Sequence, residues 1–291
     1  MVDATKPGIL YLVGTPIGNL EDITFRALRI LREVDLIAAE DTRHTGKLLH
    51  HFQIQKPQIS YHEHNLKQRG AELVAKLLQG ENIALVTDAG TPGIADPGTA
   101  IVQSCIEAGI TVVPIPGPSA AIAALSVAGL PTERFVFEGF LPSKGKPRRE
   151  RLQAIATETR TIILYEAPHR LVQTLEDLGE HLDQQRHLVI ARELTKLYEE
   201  FWRGSIAAAI SHYQLQAKHI GEFTLIVAGK TQTAHRLSEE ALKSELENLL
   251  KQGMSRSQAT QHLAQEASLP RRQIYQLALT IPDPEPPSEG N

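Results

Sequence analysis

Three short apolar runs in the first 120 residues each break into a turn rich in glycine and proline, and amphipathic stretches separate them. They are "GILYLVG" leading into "TPIGNLED", "NIALVTD" leading into "AGTPGIADPG", and "ITVVPIPG" leading into "PSAA". Apolar runs this short, each followed by a helical pattern, are what strands of a largely parallel sheet flanked by helices require. "ITFRALRILREV" has that helical pattern, with Phe25, Leu28 and Leu31 on one face. "QRGAELVAKLLQG" and "GTAIVQSCIEAG" close on the stop signals Gly80 and Gly109. "DLIAAED" is a further strand, and "SAAIAALSVAG" a small-residue helix.

A second set follows. "RFVFEGF", "RTIILYEAP", "HLVIARE" and "EFTLIVAG" are predicted strands, with "HRLVQTLEDLGEHL" and "SIAAAISHYQ" as helices between them. "LPSKGKPRRERL" is predicted as an exposed loop entering a helix. The expected organisation is an α/β domain over 1–130, a second over 131–232, a helix-turn-helix-like segment over 236–281 and a disordered Pro-rich, acidic tail over 282–291. At 291 residues the chain can bury two such cores.

The formal net charge is −4, so contact with nucleic acid has to be local. A lone cysteine, Cys105, excludes a disulfide framework and a cysteine zinc site. The N-terminus has no signal-peptide pattern, and no apolar run reaches spanning length, so a soluble, cytoplasmic protein without membrane association is expected.

Ligands of open α/β sheets sit beyond the carboxyl ends of the strands. The loops there carry no lysine and no G-x-G-x-x-G pattern. Glycine allows close backbone approach and proline stiffens it, which makes walls that offer carbonyls rather than an anion cradle. That suits a flat nucleoside-like ligand better than a pyrophosphate; tight βα turns with no ligand are the plainer reading.

Acids and bases cluster in four places: "EDTRH" (Glu40, Asp41, Arg43, His44), "YHEHN" (His62, Glu63, His64, Asn65), "YEAPHR" (Glu166, His169, Arg170) and "ARELTK" (Arg192, Glu193, Lys196). Each has an ordinary alternative. Glu40 and Arg43 can pair at a helix start, and Glu166 and Arg170 stand i, i+4. His169 can cap a helix. His62 and His64 share a strand face but lack a clear third metal ligand, so no metal is expected. "SKGKPRRER" supplies Lys144, Lys146, Arg148, Arg149 and Arg151, either for phosphate contacts or as a solvated loop.

The blocks "LYLVGTPIGNLEDIT", "AAEDTRHTGKLL", "SYHEHN", "VTDAGTPGIADPG", "PIPGPSA", "YEAPHR", "ARELTK" and "GEFTLIVAG" stand in order over about Gly8 to Gly229. As an ordered set they resemble the tetrapyrrole-methylase superfamily and, within it, the rRNA cytidine-2′-O-methyltransferases. The first seven residues look like an extension. The resemblance implies two α/β domains with a cofactor cleft between them, S-adenosylmethionine (SAM) as cofactor, and 2′-O-methylation of a cytidine in the decoding region of 16S rRNA. It implies the small ribosomal subunit as partner and a homodimer. Carried onto this chain, it implies a cofactor site at Pro16, Ile17, Asp88, Gly90, Thr91, Ile94, Ser119, Ala120, Ala167 and Glu222. RNA contacts are expected from Arg43, His62, His64, Asn65, His169, Arg170 and the basic loop. For the reaction, Glu166 or Glu193 is the expected base, with Lys196 and Arg192 beside it; Glu166→Gln is then expected to keep SAM binding and lose methyl transfer. A SAM-dependent precorrin or porphyrin methylase and a non-catalytic RNA-binding protein are the rival readings. The C-terminal helices are expected to touch rRNA, to cap the second domain or to form a dimer contact.

Overall fold

The computed structural model describes residues 6–231, 239–267 and 269–282. The expected tail beyond Pro282 and most of the expected N-terminal extension lie outside the described residues. One compact unit runs to Lys230 and a second begins at Thr231.

The first unit opens with β1 (Ile9–Val13), α1 (Phe25–Glu33), β2 (Leu36–Ala39), α2 (Thr42–His51), β3 (Gln58–Ser60), α3 (Leu66–Leu78), β4 (Ile83–Val86), α4 (Thr99–Glu107), β5 (Thr111–Ile115) and α5 (Ala120–Ala128). Its five strands are parallel, in the order β3-β2-β4-β1-β5. The period of two sorts the side chains to the two faces. Val13, Ile37, Ala39, Ala84, Val86 and Ile115 pack under α1 and α2 with Ala27, Leu31 and Leu49. Leu10, Leu36, Ala38, Ile83 and Leu85 pack under α3 and α4 with Leu73, Leu77, Ile101 and Cys105. Cys105 is fully buried, and burial pushes its thiol up to about 11, as an inert core residue requires.

The chain then forms β6 (Phe135–Phe140), α6 (Gly145–Thr157), β7 (Thr161–Glu166), α7 (Leu171–His181), β8 (His187–Arg192), β9 (Glu200–Ser205), α8 (Ile206–Gln214) and β10 (Phe223–Val227). The sheet order is β6-β7-β10-β8-β9. Here the expectation of a largely parallel sheet needs correction: β10 runs antiparallel to both β7 and β8, and β8 and β9 are antiparallel. Fully apolar strands read the same in either direction, so composition could not separate the two. The basic stretch is also more helical than expected, since α6 already includes Lys146, Arg148 and Arg149.

The small side chains of α5 let it lie flat on this second sheet. Ala121, Ala124, Leu125 and Ala128 pack with Ile163, Val189, Ala191 and Ile226, and Ile17 from the loop after β1 joins the same cluster. The first strand-end loops are thereby held against the second sheet.

The second unit comprises α9 (Glu239–Lys251), α10 (Arg256–Glu266) and α11 (Arg271–Ala278). Ser255 and Gln258 form a capping box at the start of α10. Leu242, Leu246, Leu250, Leu263, Ile274 and Ile281 close its own core.

Candidate functional site

Three loops at the carboxyl edge of the first sheet are tied backbone to backbone. Thr15 N–H donates to the Gly90 carbonyl at 2.9 Å, and Gly90 N–H returns the bond at 3.0 Å. The Thr15 hydroxyl donates to the Thr87 carbonyl, and the Thr91 hydroxyl to that of Pro118. A β-carbon on Gly14 would stand 2.8 Å from the α-carbon of Gly117, so the glycines at the ends of β1 and β5 allow an approach no side chain permits. Gly90 has φ of +84°, a left-handed turn that favours glycine.

Two cavities adjoin along these loops. The smaller, about 290 Å³, is bounded by Ile17, Gly90, Thr91, Ile94, Asp96, Ser119, Ala120, Phe140, Tyr165, Ala167 and Thr224, among others, and among the described residues no lysine or arginine lines it. The larger, about 500 Å³, is lined by Thr15, Pro16, Gly18, Leu20, His44, Thr45, Lys47, Leu48, Thr87, Asp88 and Lys196. Ile17, Ala89 and Glu222 border both. Of the expected cofactor residues, Ile17, Gly90, Thr91, Ile94, Ser119, Ala120, Ala167 and Glu222 meet at the smaller cavity. Pro16 and Asp88 face the larger one instead.

The junction carries one strongly held cation. The Lys196 ammonium donates to Glu193 at 2.8 Å and to Glu222 at 3.0 Å. The Glu193 carboxylate also accepts the Glu222 N–H. Glu193 and Thr195 both have positive φ, 52° and 65°, which turns the chain sharply and brings Lys196 back under the loop after β1. Gly18 makes room for it: a β-carbon there would lie 2.4 Å from Lys196 Cγ and 3.0 Å from the Leu194 carbonyl oxygen. Burial acts to raise the Glu193 carboxyl, but the Lys196 hydrogen bond, the Glu222 N–H and the neighbouring cations outweigh it and hold it below its ordinary value. Burial likewise acts to lower Lys196, and the two carboxylates overcome it and hold the ammonium above its ordinary value.

Several expected site residues are engaged by partners within the fold. The Glu166 side chain is 1 % exposed; its oxygens accept the Ala167 N–H and the Thr174 hydroxyl, and Arg170 stands 3.4 Å away. Glu166 borders the smaller cavity, and its carboxylate is turned toward α7, where these partners hold it. Its strand neighbour Tyr165 takes the opposite face, where its hydroxyl accepts the Ala121 N–H. Arg148, expected as a flexible phosphate contact, is buried; its guanidinium pairs with Asp177 at 2.6 Å and donates to Thr174 and to the Pro142 carbonyl. Helical periodicity explains this, because Arg148, Leu152 and Ile155 share the inner face of α6. Arg170 donates to the Leu141 carbonyl. Arg192 is spent on the Ile220 carbonyl and on Glu200, away from both cavities.

The other cations are exposed. Arg43 folds back on Asp41, which caps α2, and the Glu40–Arg43 pair is not the one formed. Hydrogen bonds from the Arg43 guanidinium, and then from its backbone N–H, hold the Asp41 carboxyl well below its ordinary value. Lys144 precedes α6, Lys146 approaches Glu150 at 3.6 Å, Arg149 faces solvent and Arg151 pairs with Glu138. His169 is exposed on a 3₁₀ turn spanning Pro168–Arg170. His62 and His64 stack edge to face at 5.9 Å, and Asn65 holds the turn by accepting the His62 N–H. Among the described residues no group of three or more metal-ligating side chains gathers, and no described helix is long and apolar enough to cross a membrane.

Sequence reasoning passed over Asp96, Tyr165 and Lys47. Asp96 sits inside a quoted loop; burial first, then the Glu40 charge, pushes its carboxyl up to about 7. A carboxyl placed among glycines, prolines and alanines was the available signal. For Tyr165 the signal was the period of two in "TIILYE", which separates it from Glu166.

The family model for tetrapyrrole (corrin/porphyrin) methylases matches residues 9–210. A Synechocystis protein named ribosomal RNA small subunit methyltransferase I is 60 % identical over 94 % of this chain and 98 % of its own length. One of the same name from Escherichia coli O157:H7 is 53 % identical over 81 % of this chain and 83 % of that one. Among solved structures, a uroporphyrin-III C-methyltransferase from Thermus thermophilus, crystallised with S-adenosylhomocysteine, aligns with a TM-score of 0.55 at 19 % identity, covering 77 % of this chain and 98 % of that one. The fold, the strand-end loops and this identity over nearly the full length agree: the chain belongs to the ribosomal RNA small subunit methyltransferase I family of the tetrapyrrole methylases.

Proposed function

We propose that this protein transfers the methyl group of SAM to the ribose 2′-oxygen of a cytidine in the decoding region of 16S rRNA, with the small ribosomal subunit as its partner. The observation that carries the reading is the 60 % identity to a protein named for small-subunit rRNA methylation, joined to two cavities that meet at Ile17, Ala89 and Glu222.

The smaller cavity suits SAM chemically. Among the described residues no lysine or arginine lines it; Ile94, Phe140 and Tyr165 offer apolar faces, and Asp96 offers a carboxyl. A cationic ligand with a flat heterocycle fits such a lining better than a phosphorylated one does. When bound, SAM supplies an electrophilic methyl group on a sulfonium.

The chain's own residues then have to align the acceptor and remove its proton. In this reading the acceptor ribose occupies the larger cavity and turns its 2′-hydroxyl toward the shared border. Glu222, whose side chain is 74 % exposed and which borders both cavities, takes the hydroxyl proton. The Lys196 ammonium beside it stabilises the developing negative charge on the oxygen, and Glu193 fixes where that ammonium stands. A positioned base is typically worth about 10²–10⁴-fold in rate. This moves the expected base from Glu166 or Glu193 to Glu222, because Glu166 is turned toward α7 and Glu193 lines neither cavity, whereas Glu222 borders both.

The test is incubation with SAM labelled on its methyl group, offered small ribosomal subunits, free 16S rRNA or a tetrapyrrole precursor. Label on a cytidine 2′-oxygen of the rRNA is expected; label on the tetrapyrrole alone would overturn the reading. Assembly as a homodimer and a cytoplasmic location belong to the same proposal, and light scattering of the full chain checks the first.

A further inference from the structure

The wall that α2 gives the larger cavity carries cations that the methyl-transfer step leaves unassigned. The helix reads "TRHTGKLLHH", with no acid along its length. Spacing of three and four residues puts His44, Lys47 and Leu48 on one face, and all three line the cavity. Arg43 is turned aside by its grip on Asp41. Lys196, the other cation at this cavity, has its ammonium held by Glu193 and Glu222. Lys47 and His44 are exposed, and neither side chain enters an ion pair or hydrogen bond among the described residues.

The chemistry of a nucleotide chain gives that face a task. The ribose 2′-oxygen sits on the carbon next to the one bearing the 3′-phosphate. A pocket that brings the 2′-oxygen to Lys196 and Glu222 therefore keeps a phosphate within a few ångströms of its wall. A nucleotide stacked in an RNA strand enters a cavity of about 500 Å³ only by turning out of the stack, which leaves its two flanking phosphates at the mouth. Compact, mobile cations on the wall are what such phosphates call for.

We propose that Lys47 and His44 hold the phosphates flanking the target nucleotide, which is turned out of the RNA strand into the larger cavity. The proposal rests on the rRNA reading above. It assigns phosphate positioning at the cavity to α2 rather than to α6, where Arg148 is buried, Arg151 and Lys146 face carboxylates, and the exposed Arg149 lines neither cavity.

The test uses full-length protein and small ribosomal subunits from a bacterial strain deleted for its own family member. Lys47→Ala is expected to raise KM for the subunit about five- to tenfold, with kcat changed much less. The slope of log affinity for the subunit against log salt should fall by about 0.7–1, as loss of one phosphate contact requires. Lys47→Arg should restore most of both, and His44→Gln should act in the same direction. S-adenosylhomocysteine affinity, measured by calorimetry, is expected to stay at the wild-type value. Wild-type KM and salt slope in both Lys47→Ala and His44→Gln would overturn the proposal, as would loss of S-adenosylhomocysteine binding in either variant. A wild-type protein that transfers no methyl group to the subunit would instead overturn the rRNA reading, and this proposal with it.

Discussion

At the scale of single residues, the cavities separate groups that the sequence places side by side. Asp88 and Asp96 belong to one loop, yet Asp88 lines the larger cavity and Asp96 the smaller. Burial and the Glu40 charge push the Asp96 carboxyl up to about 7 against a Thr87 hydrogen bond. A carboxyl raised on folding is tolerated fully below its unfolded value and penalised as pH rises through its folded value. Without ligand, the wild-type protein is therefore expected to lose stability between about pH 4 and 7 that Asp96→Asn retains. The melting-temperature difference between the two, in favour of the variant, should grow across that window and level off above it. A difference that is constant with pH would show that Asp96 does not titrate there.

At the scale of elements, one polar network takes up three of the expected site residues, Arg148, Glu166 and Arg170. Arg148 on α6 donates to Thr174 on α7, Thr174 donates to Glu166 at the end of β7, and Arg170 closes the chain on the Leu141 carbonyl. Deleting one partner of a buried ion pair typically costs about 3–5 kcal/mol. Arg148→Ala is expected to destabilise the first unit by about that much in urea titrations. Glu166→Gln should cost about 1–3 kcal/mol while keeping methyl transfer, contrary to the expectation from sequence that transfer would be lost. The double variant should be less destabilised than the sum of the two, because Thr174 links them. The inner face of α6 was visible in the spacing of Arg148, Leu152 and Ile155; that an arginine would join it was not, because arginines are almost never fully buried unless paired, and Asp177 is 29 residues away.

At the scale of the whole molecule, the chain divides where its chemistry does. Among the described residues, all that line the two cavities lie before Lys230. The helices after Thr231 bury their own leucines and isoleucines. A chain ending at Lys230 is therefore expected to fold cooperatively and to bind S-adenosylhomocysteine with wild-type affinity, as followed by thermal denaturation and calorimetry. Failure of that fragment to fold would show that the second unit is needed for the stability of the first.

The local elements were legible because they depend on short-range periodicity: runs such as "IALV" and "TIILYE" form strands, and glycines stop helices where Gly80 and Gly109 stand. The close packing of the Gly/Pro loops was legible because close backbone approach needs glycine whatever the partner, as Gly14 against Gly117 demonstrates. The direction of β10, the short strands β3 and β9 and the helix α2 were less so, because neighbours far along the chain decide them. The same holds for the acids and bases. Sequence by itself determined that they stand at strand ends. Only tertiary packing decided that Lys196 reaches Glu222 from 26 residues away, that Glu166 turns from the cavities into a network with α7, and that Lys47 faces an open wall. A charge takes its role from its partners and its solvent, and both are set by contacts that no local pattern encodes.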